Sequence, residues 1–242
     1  MVRTAYVHGS YVRHDRAMVH IEDRGYQFAD GIYEYIAFYN GRLLDGDLHW
    51  KRLARSLKEM HIAAPMSPAA LGIVARELIG RNGRPDGGLY VQVTRGVARR
   101  DHPFPKNTRP ALVMTVCAAK LPKSAEIEQG VSVITSPENR CARRDIKSVC
   151  LLGNVLAKQE AARRHCREAW LIEGSEVSEG AVSNAYIISK GGELVTHPAD
   201  EHILGGVVRD VVLKLARKNG IPVAERAFSL AEAKAAAEAF LT

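Results

Sequence analysis

Residues 143–161 read RRDIKSVCLLGNVLAKQEA, and this stretch sets the reading of the whole chain. A charged loop with Arg140, Arg143 and Arg144 gives way to a helix expected from about Leu151 to Arg167, so Lys147 stands at a loop-to-helix junction. A lysine in such a place is ordinarily solvated. The alternative is an imine-forming amine, which needs partial desolvation or cationic neighbours, and Arg143 and Arg144 are candidates. Upstream lie a linker-like segment at 120–130 (Lys120-Leu121-Pro122-Lys123-Ser124) and a strand from Val131 to Thr135. Downstream, strands are expected at 169–172, 185–189 and 193–196, with the small-residue loop Ser178–Asn184 carrying one carboxylate, Glu179. A helix follows from about Gly206 to Lys218, ending at Asn219-Gly220. Gly205-Gly206 at its start offers unpaired N–H groups to an anion, or is simply a tight turn. Ser229-Leu230-Ala231-Glu232 is a capping box, and the chain stops at Phe240-Leu241-Thr242, where another strand begins.

The first half alternates strands and helices in the same way. Residues 2–7 and 17–21 have strand-like apolar content. Ile32–Tyr39 is β-branched and aromatic, and Asn40-Gly41 after it predicts a hairpin. Asp47 caps a helix with Leu53, Leu57 and Met60 on one face and Arg52 and Arg55 beside them. Ser67-Pro68 opens a second helix carrying Leu71, Val74 and Leu78. Leu89–Thr94 alternates as a half-buried strand, a polar loop runs from Arg95 to Arg109, and a strand spans Ala111 to Ala119. In that loop Arg100-Asp101-His102 places two cationic or switchable groups two apart, a spacing able to grip a carboxylate. The pattern predicts an α/β (α+β) fold in two lobes, with a break near 120–130.

With 46% hydrophobic and 25% charged residues over 242 positions, the chain has enough apolar material for one large domain or two modest ones. It contains no run long enough to span a membrane and no secretory leader, which predicts a soluble cytoplasmic protein. Cys117, Cys141, Cys150 and Cys166 form no C-x-x-C pair, so a zinc site is not expected and free thiols in a reducing compartment are. The net charge of +7 arises wholly in residues 1–120, with 18 Lys/Arg against 11 Asp/Glu there and 16 against 16 beyond. Either a nucleic-acid face or the handling of small anions accounts for it, and the scattered arginines lack the basic runs of the former.

Five stretches carry a resemblance: EDRGYQFADGIYEYIAFYNG (22–41), QVTRGVARRDHPFP (92–105), RRDIKSVCLLGNVLAKQEA (143–161), VSEGAVSNAYII (177–188) and THPADEHILGGVVRD (196–210). Together the sequence resembles the fold-type IV, class IV aminotransferases that use pyridoxal 5'-phosphate, and most of all their D-amino-acid-specific members. The resemblance implies that Lys147 is the Schiff-base lysine and proton shuttle. It implies that Glu179 faces the pyridine nitrogen, and that Arg52 and the Gly206-Val207-Val208 helix start hold the phosphate. Tyr33, with Ala181 and Val182, would border the substrate, and Arg100 and His102 would trap its carboxylate across a homodimer interface, with a smaller N-terminal lobe at 1–120 and a larger cofactor-binding lobe at 121–242. The implied reaction moves an amino group between a D-amino acid and a 2-oxo acid (2-oxoglutarate or pyruvate).

Two departures stand out. Val208 replaces the threonine that many relatives place in the phosphate helix, and relatives continue for several dozen residues beyond Thr242, so a truncated or pared-down C-terminal lobe is expected. Other members of the fold remain open: a branched-chain L-amino-acid aminotransferase, an R-selective amine transaminase or an aminodeoxychorismate lyase. A cofactor-free nucleic-acid binder is the reading from a different class.

Overall fold

Alternation along residues 31–39 builds the first sheet. Ile32, Glu34, Ile36 and Phe38 are buried on one face of β3 (Gly31–Tyr39), and Tyr33, Tyr35 and Tyr39 lie on the other. Asn40 and Gly41 both take positive φ (47° and 70°), so the chain turns in two residues and pairs Tyr39 with Arg42 in β4 (Arg42–Leu43). β5 (Gly87–Thr94) buries Leu89, Val91 and Val93 and pairs with β3 along its length. With β1 (Thr4–Val7), β2 (Ser10–Arg13) and β6 (Ala111–Cys117), the order is β2-β1-β6-β5-β3-β4, antiparallel throughout. α2 (Gly46–Glu59) lies against β3, and α3 (Pro68–Asn82) against β1 and β6. Leu53, Leu57, Leu71 and Leu78 thereby join Ile36, Leu89, Val91 and Met114 in one core, each contributing about 1.5–3 kcal/mol by leaving water.

The computed structural model describes residues 3–118 and 124–242. The predicted lobe boundary at 120/121, the last residue of the predicted strand ending at Ala119, and linker residues 120–123 lie outside these. The chain divides into two units. One comprises Met1–Leu121 with Ile146–Cys150, the other Pro122–Asp145 with Leu151–Thr242. Segment 146–150, and Lys147 with it, therefore groups with the N-terminal stretch. The reason is hydrogen bonding: Tyr33 N–H donates to Lys147 O at 2.9 Å, Val149 N–H to Gly31 O at 3.1 Å, and Ile32 bridges Ser148. The segment takes the part of β3 that the two-residue β4 does not reach.

In the second unit β7 (Val133–Pro137) runs parallel to β8 (Glu168–Glu173), and α5 (Leu152–Arg163) packs on both. β9 (Glu176–Gly180) and β13 (Phe228–Ser229) complete the order β13-β9-β8-β7. A second sheet has the order β12-β11-β10-β14, from β10 (Ala185–Ile188), β11 (Leu194–Thr196), β12 (Val223–Glu225) and β14 (Glu238–Leu241). α6 (Val207–Lys218) packs on β12. Trp170 and Val177 of the first sheet share a core with Ala185, Ile187 and Val195 of the second.

Several expectations are corrected. Residues 17–21 form no strand, and Met18 and Ile21 are each 76% exposed. The cap of α2 is Asp45, in left-handed conformation and without a side-chain cap bond, while Asp47 sits in the first turn where the dipole still favours it. Residues 124–129 of the expected linker are a short helix, α4 (Ser124–Gln129). Glu179 lies in strand β9, not in a loop, because Gly174 (φ 63°) turns β8 back into a hairpin. The terminal residues already form an edge strand, half exposed and paired along β10. Ser67 caps α3 through Ala70 N–H at 3.3 Å, and Ser229 caps α7 (Leu230–Ala235) through Glu232 N–H at 3.0 Å, both as the sequence predicts. All four cysteines are free, and no helix among the described residues is long and apolar enough to cross a membrane.

Candidate active site

In the first unit the bond from Tyr33 N–H to Lys147 O sets the lysine beside the tyrosine. The Lys147 amine donates to Tyr33 Oη at 3.3 Å and stands 4.4 Å from the Tyr33 ring centre. Tyr90 stacks on Tyr33 with ring centres 5.7 Å apart, and burial lifts the Tyr90 phenol to about 12. Lys147 is half-buried, which meets the desolvation requirement for a reactive amine. Arg143 and Arg144, the cations considered as its neighbours, are each engaged with a carboxylate in the other unit: Arg143 with Asp145 at 2.9 Å and Arg144 with Glu173 at 2.7 Å.

Arg52 projects from α2 onto a carboxylate the sequence reading passed over. Glu34 is 0% exposed and accepts from Arg52 Nε and Nη2 at 2.8 Å each, and it lies 2.7 Å from His49 Nδ1. Burial alone would raise the Glu34 pKa. The Arg52 bonds, then His49, outweigh it and hold the group below the ordinary range. The signal was present in the sequence, since a carboxylate on the apolar face of a strand needs a partner and α2 carries two at spacing three.

Arg100 and His102 are brought together on one ring. The Arg100 guanidinium is 4.9 Å from the centre of Phe28, and the His102 imidazole meets the same ring edge-to-face at 5.4 Å. Both residues are exposed. Their loop opens at Gly96 (φ +98°), where a Cβ would lie 2.0 Å from Arg109 O, so only glycine fits.

In the second unit Glu179 is the centre of a buried polar cluster. It accepts from Arg140 Nη1 at 2.6 Å, Asn184 Nδ2 at 2.9 Å and Leu204 N–H at 3.1 Å. The rest of the Arg140 guanidinium goes to Glu138, with Nη2 at 2.6 Å. One guanidinium thus bridges two buried carboxylates, with Arg144 3.7 Å from Glu138 as a weaker counterion. Burial lifts the Glu179 pKa to about 7 against the opposing pull of Arg140. Glu138 is also desolvated, but its bonds from Arg140 prevail and hold it low. Arg140 and Asn184 were given no role from sequence.

Gly206 caps α6 with no side-chain bond to the first turn, and a Cβ there would sit 2.1 Å from Asn184 Oδ1. Gly206, directly before Val207 and Val208, thereby lies against the Asn184 amide that also holds Glu179, and Asn184 Nδ2 donates to Leu204 O at 2.9 Å. Ala181 directly follows β9. Its side chain is buried with Ala157, Ala161 and Leu171, its N–H donates to Ala169 O, and its carbonyl accepts from Asn154. Val182 next to it is 68% exposed.

The Glu179 shift has a measurable consequence. An acid whose folded pKa of about 7 exceeds its reference 4.5 stabilises the fold fully below pH 4.5 and loses that contribution as pH rises to 7. Apoprotein stability measured by urea unfolding, relative to Glu179→Gln, is expected to fall by up to about 3 kcal/mol across that window and to level off above it. A difference that stays constant from acid to neutral pH contradicts this.

Comparison with known proteins bears on the whole arrangement. The D-alanine aminotransferase of Listeria monocytogenes serotype 4b (strain F2365) is 41% identical over 238 residues, spanning 98% of this chain and 82% of the relative. That of Staphylococcus epidermidis (strain ATCC 12228) is 39% identical over 237 residues, spanning 98% and 84%. Among solved structures, the branched-chain amino acid aminotransferase of Escherichia coli superposes with a TM-score of 0.92 at 24% identity, covering 100% of this chain and 83% of that one. The 4-amino-4-deoxychorismate lyase of Pseudomonas aeruginosa does so with 0.85 at 27%, covering 98% and 86%. The family model for amino-transferase class IV matches residues 31–242, the stretch that holds Tyr33, Arg52, Lys147 and Glu179. With that match and relatives of this identity over nearly its full length, the chain belongs to the class IV aminotransferases.

Proposed function

We propose that this chain is a pyridoxal-phosphate-dependent transaminase moving an amino group between a D-amino acid, such as D-alanine or D-glutamate, and a 2-oxo acid, pyruvate or 2-oxoglutarate. The observation that carries the reading is the half-buried Lys147 amine on the Tyr33 hydroxyl, 3.3 Å away, within the family match. The cofactor fits the residues present. Glu138 and Glu179 share Arg140, leaving the cluster short of positive charge except for the more distant Arg144. Glu179 would hold a protonated ring nitrogen of the cofactor, and that cation would supply what is missing. The first turn of α6, with no side-chain cap, suits a phosphate, and so does Arg52, whose guanidinium is oriented by Glu34.

When bound, pyridoxal phosphate supplies an aldehyde for amine exchange and a ring that withdraws electrons. Lys147 is the amine to be exchanged and, once released, the base that takes the substrate Cα proton at Nζ. Arg100 offers a bidentate fork to the substrate carboxylate, and His102 a further donor. D-specificity is supported by the relatives named D-alanine aminotransferase and by this Arg-x-His pair. A homodimer and a cytoplasmic location accompany the reading.

Addition of D-alanine to the yellow protein is expected to bleach its visible absorbance, whereas L-leucine leaves it unchanged. Bleaching by L-leucine alone would transfer the chain to the branched-chain L-amino-acid class. In steady-state assays Arg100→Ala is expected to raise the KM for D-alanine by about 10- to 100-fold, the worth of a charge-assisted pair.

A further inference from the structure

Loop 97–104, which carries Arg100 and His102, is exposed along most of its length, yet a buried arginine pins it. Arg24 is 3% exposed and stands in the first turn of α1 (Arg24–Phe28), which Asp23 caps through Gly25 N–H at 2.8 Å. Its Nε donates to Asp30 Oδ2 at 2.7 Å. The two remaining nitrogens donate to successive loop carbonyls: Nη1 to Asp101 O, and Nη2 to His102 O at 3.2 Å. Asp30 is in turn fixed by Arg95, through Nε at 2.7 Å and Nη2 at 3.0 Å, and Arg95 also donates to Met60 O and His61 O. Burial works against the Asp30 charge, and the bonds from Arg95 and Arg24 overcome it, so the carboxylate stays ionised.

The same elements supply the ring on which the loop side chains rest. Arg24 lies 4.6 Å from the Phe28 centre, and Arg100 and His102 contact that ring as well. The loop's root is tied separately, by the Asp23–Val97 bridge and by Arg24 N–H to Gly96 O at 3.0 Å. The guanidinium bonds are therefore not needed to start the loop. They fix the two peptide planes that flank His102, while the Phe28 ring they share keeps the Arg100 guanidinium beside the His102 imidazole.

We infer that Arg24, oriented by Asp30, is a positioning residue that pre-sets the Arg100/His102 loop for the substrate carboxylate. This rests on the carboxylate role proposed above for Arg100. A loop already ordered does not lose conformational freedom when substrate binds, so the clip acts on affinity more than on turnover. Lysine at this position keeps the charge beside Asp30 and with it the buried pair. A single ammonium cannot also reach both carbonyls in the guanidinium's planar geometry.

The test is steady-state kinetics of the holoenzyme with D-alanine and 2-oxoglutarate, both carboxylates, for Arg24→Lys, Arg100→Ala and the double variant. Arg24→Lys is expected to raise KM for both substrates about tenfold, with kcat within about twofold and the visible absorbance of the bound cofactor unchanged. In the Arg100→Ala background the effect of Arg24→Lys should shrink to a fraction, since the two act through one contact. A fall in kcat with KM unchanged marks Arg24 as merely structural and overturns the inference, as does full additivity in the double variant. Should Arg24→Lys not fold, Phe28→Leu removes the shared ring while keeping the Arg24–Asp30 pair. A rise in both KM values supports the pre-set loop, and unchanged values overturn it. An unchanged KM in Arg100→Ala overturns the carboxylate role itself, and the function of Arg24 with it.

Discussion

Replacement of Lys147 by alanine is expected to lower kcat for transamination from D-alanine by about 10⁴-fold or more, because one amine is asked both to exchange with substrate and to carry a proton. The fold should survive, since Lys147 is half-buried and its backbone carbonyl, which alanine keeps, accepts from Tyr33 N–H in β3. Tyr33→Phe removes only the hydroxyl that accepts from the amine at 3.3 Å, and its cost should be nearer tenfold. The contrast matters because general damage to the site would affect both variants alike. Borohydride reduction followed by peptide mapping supplies a second readout: the cofactor adduct should lie on Lys147 in the parent protein and be missing in the alanine variant. An adduct on another lysine, or an alanine variant with appreciable turnover, refutes the assignment.

What could be read from sequence divides along the range of the interactions. The Asn40-Gly41 hairpin, the Ser67-Pro68 start of α3 and the Ser229 cap are each decided within four residues, and they form where the sequence places them. Residues 17–21 misled because a short apolar run does not by itself specify a pairing partner, and here Met18 and Ile21 stay exposed. β9 was hidden by a polar hairpin turn, and the strand that carries Glu179 owes its burial to β8 and β13 on either side. For the candidate site, Lys147 and Glu179 were singled out through the resemblance of their flanking stretches, which is local information. Several long-range contacts around the candidate residues were not legible in this way. Glu34 meets Arg52 across 18 positions, Arg140 meets Glu179 across 39 and Arg24 reaches Asp101 across 77. Such pairs are specified by sheet register and helix packing, which alternation patterns do not encode.

Arg140→Met should destabilise the protein by about 3–5 kcal/mol at pH 8, since it leaves two buried carboxylates without the guanidinium they share. For a chain of this size that is a drop in Tm of roughly 6–20 °C. The loss should depend on pH in a defined direction. In the parent protein burial already lifts Glu179 to about 7, with Arg140 opposing it. Without Arg140 nothing comparable resists the burial, so both Glu179 and Glu138 should bind protons at higher pH than before. At pH 5 the carboxyls of the variant can protonate and shed the unpaired charge, and the deficit narrows. At pH 8 they must either stay charged without a partner or hold a proton that the unfolded chain has released, and the deficit is full. Thermal unfolding of parent and variant at the two pH values measures this. Adding Glu138→Gln to Arg140→Met removes one of the two stranded charges and should recover part of the loss at pH 8, while leaving Glu179 to titrate alone. A deficit below about 1 kcal/mol, or one equal at both pH values, means that water reaches these carboxylates and that the guanidinium is not what keeps Glu179 in place.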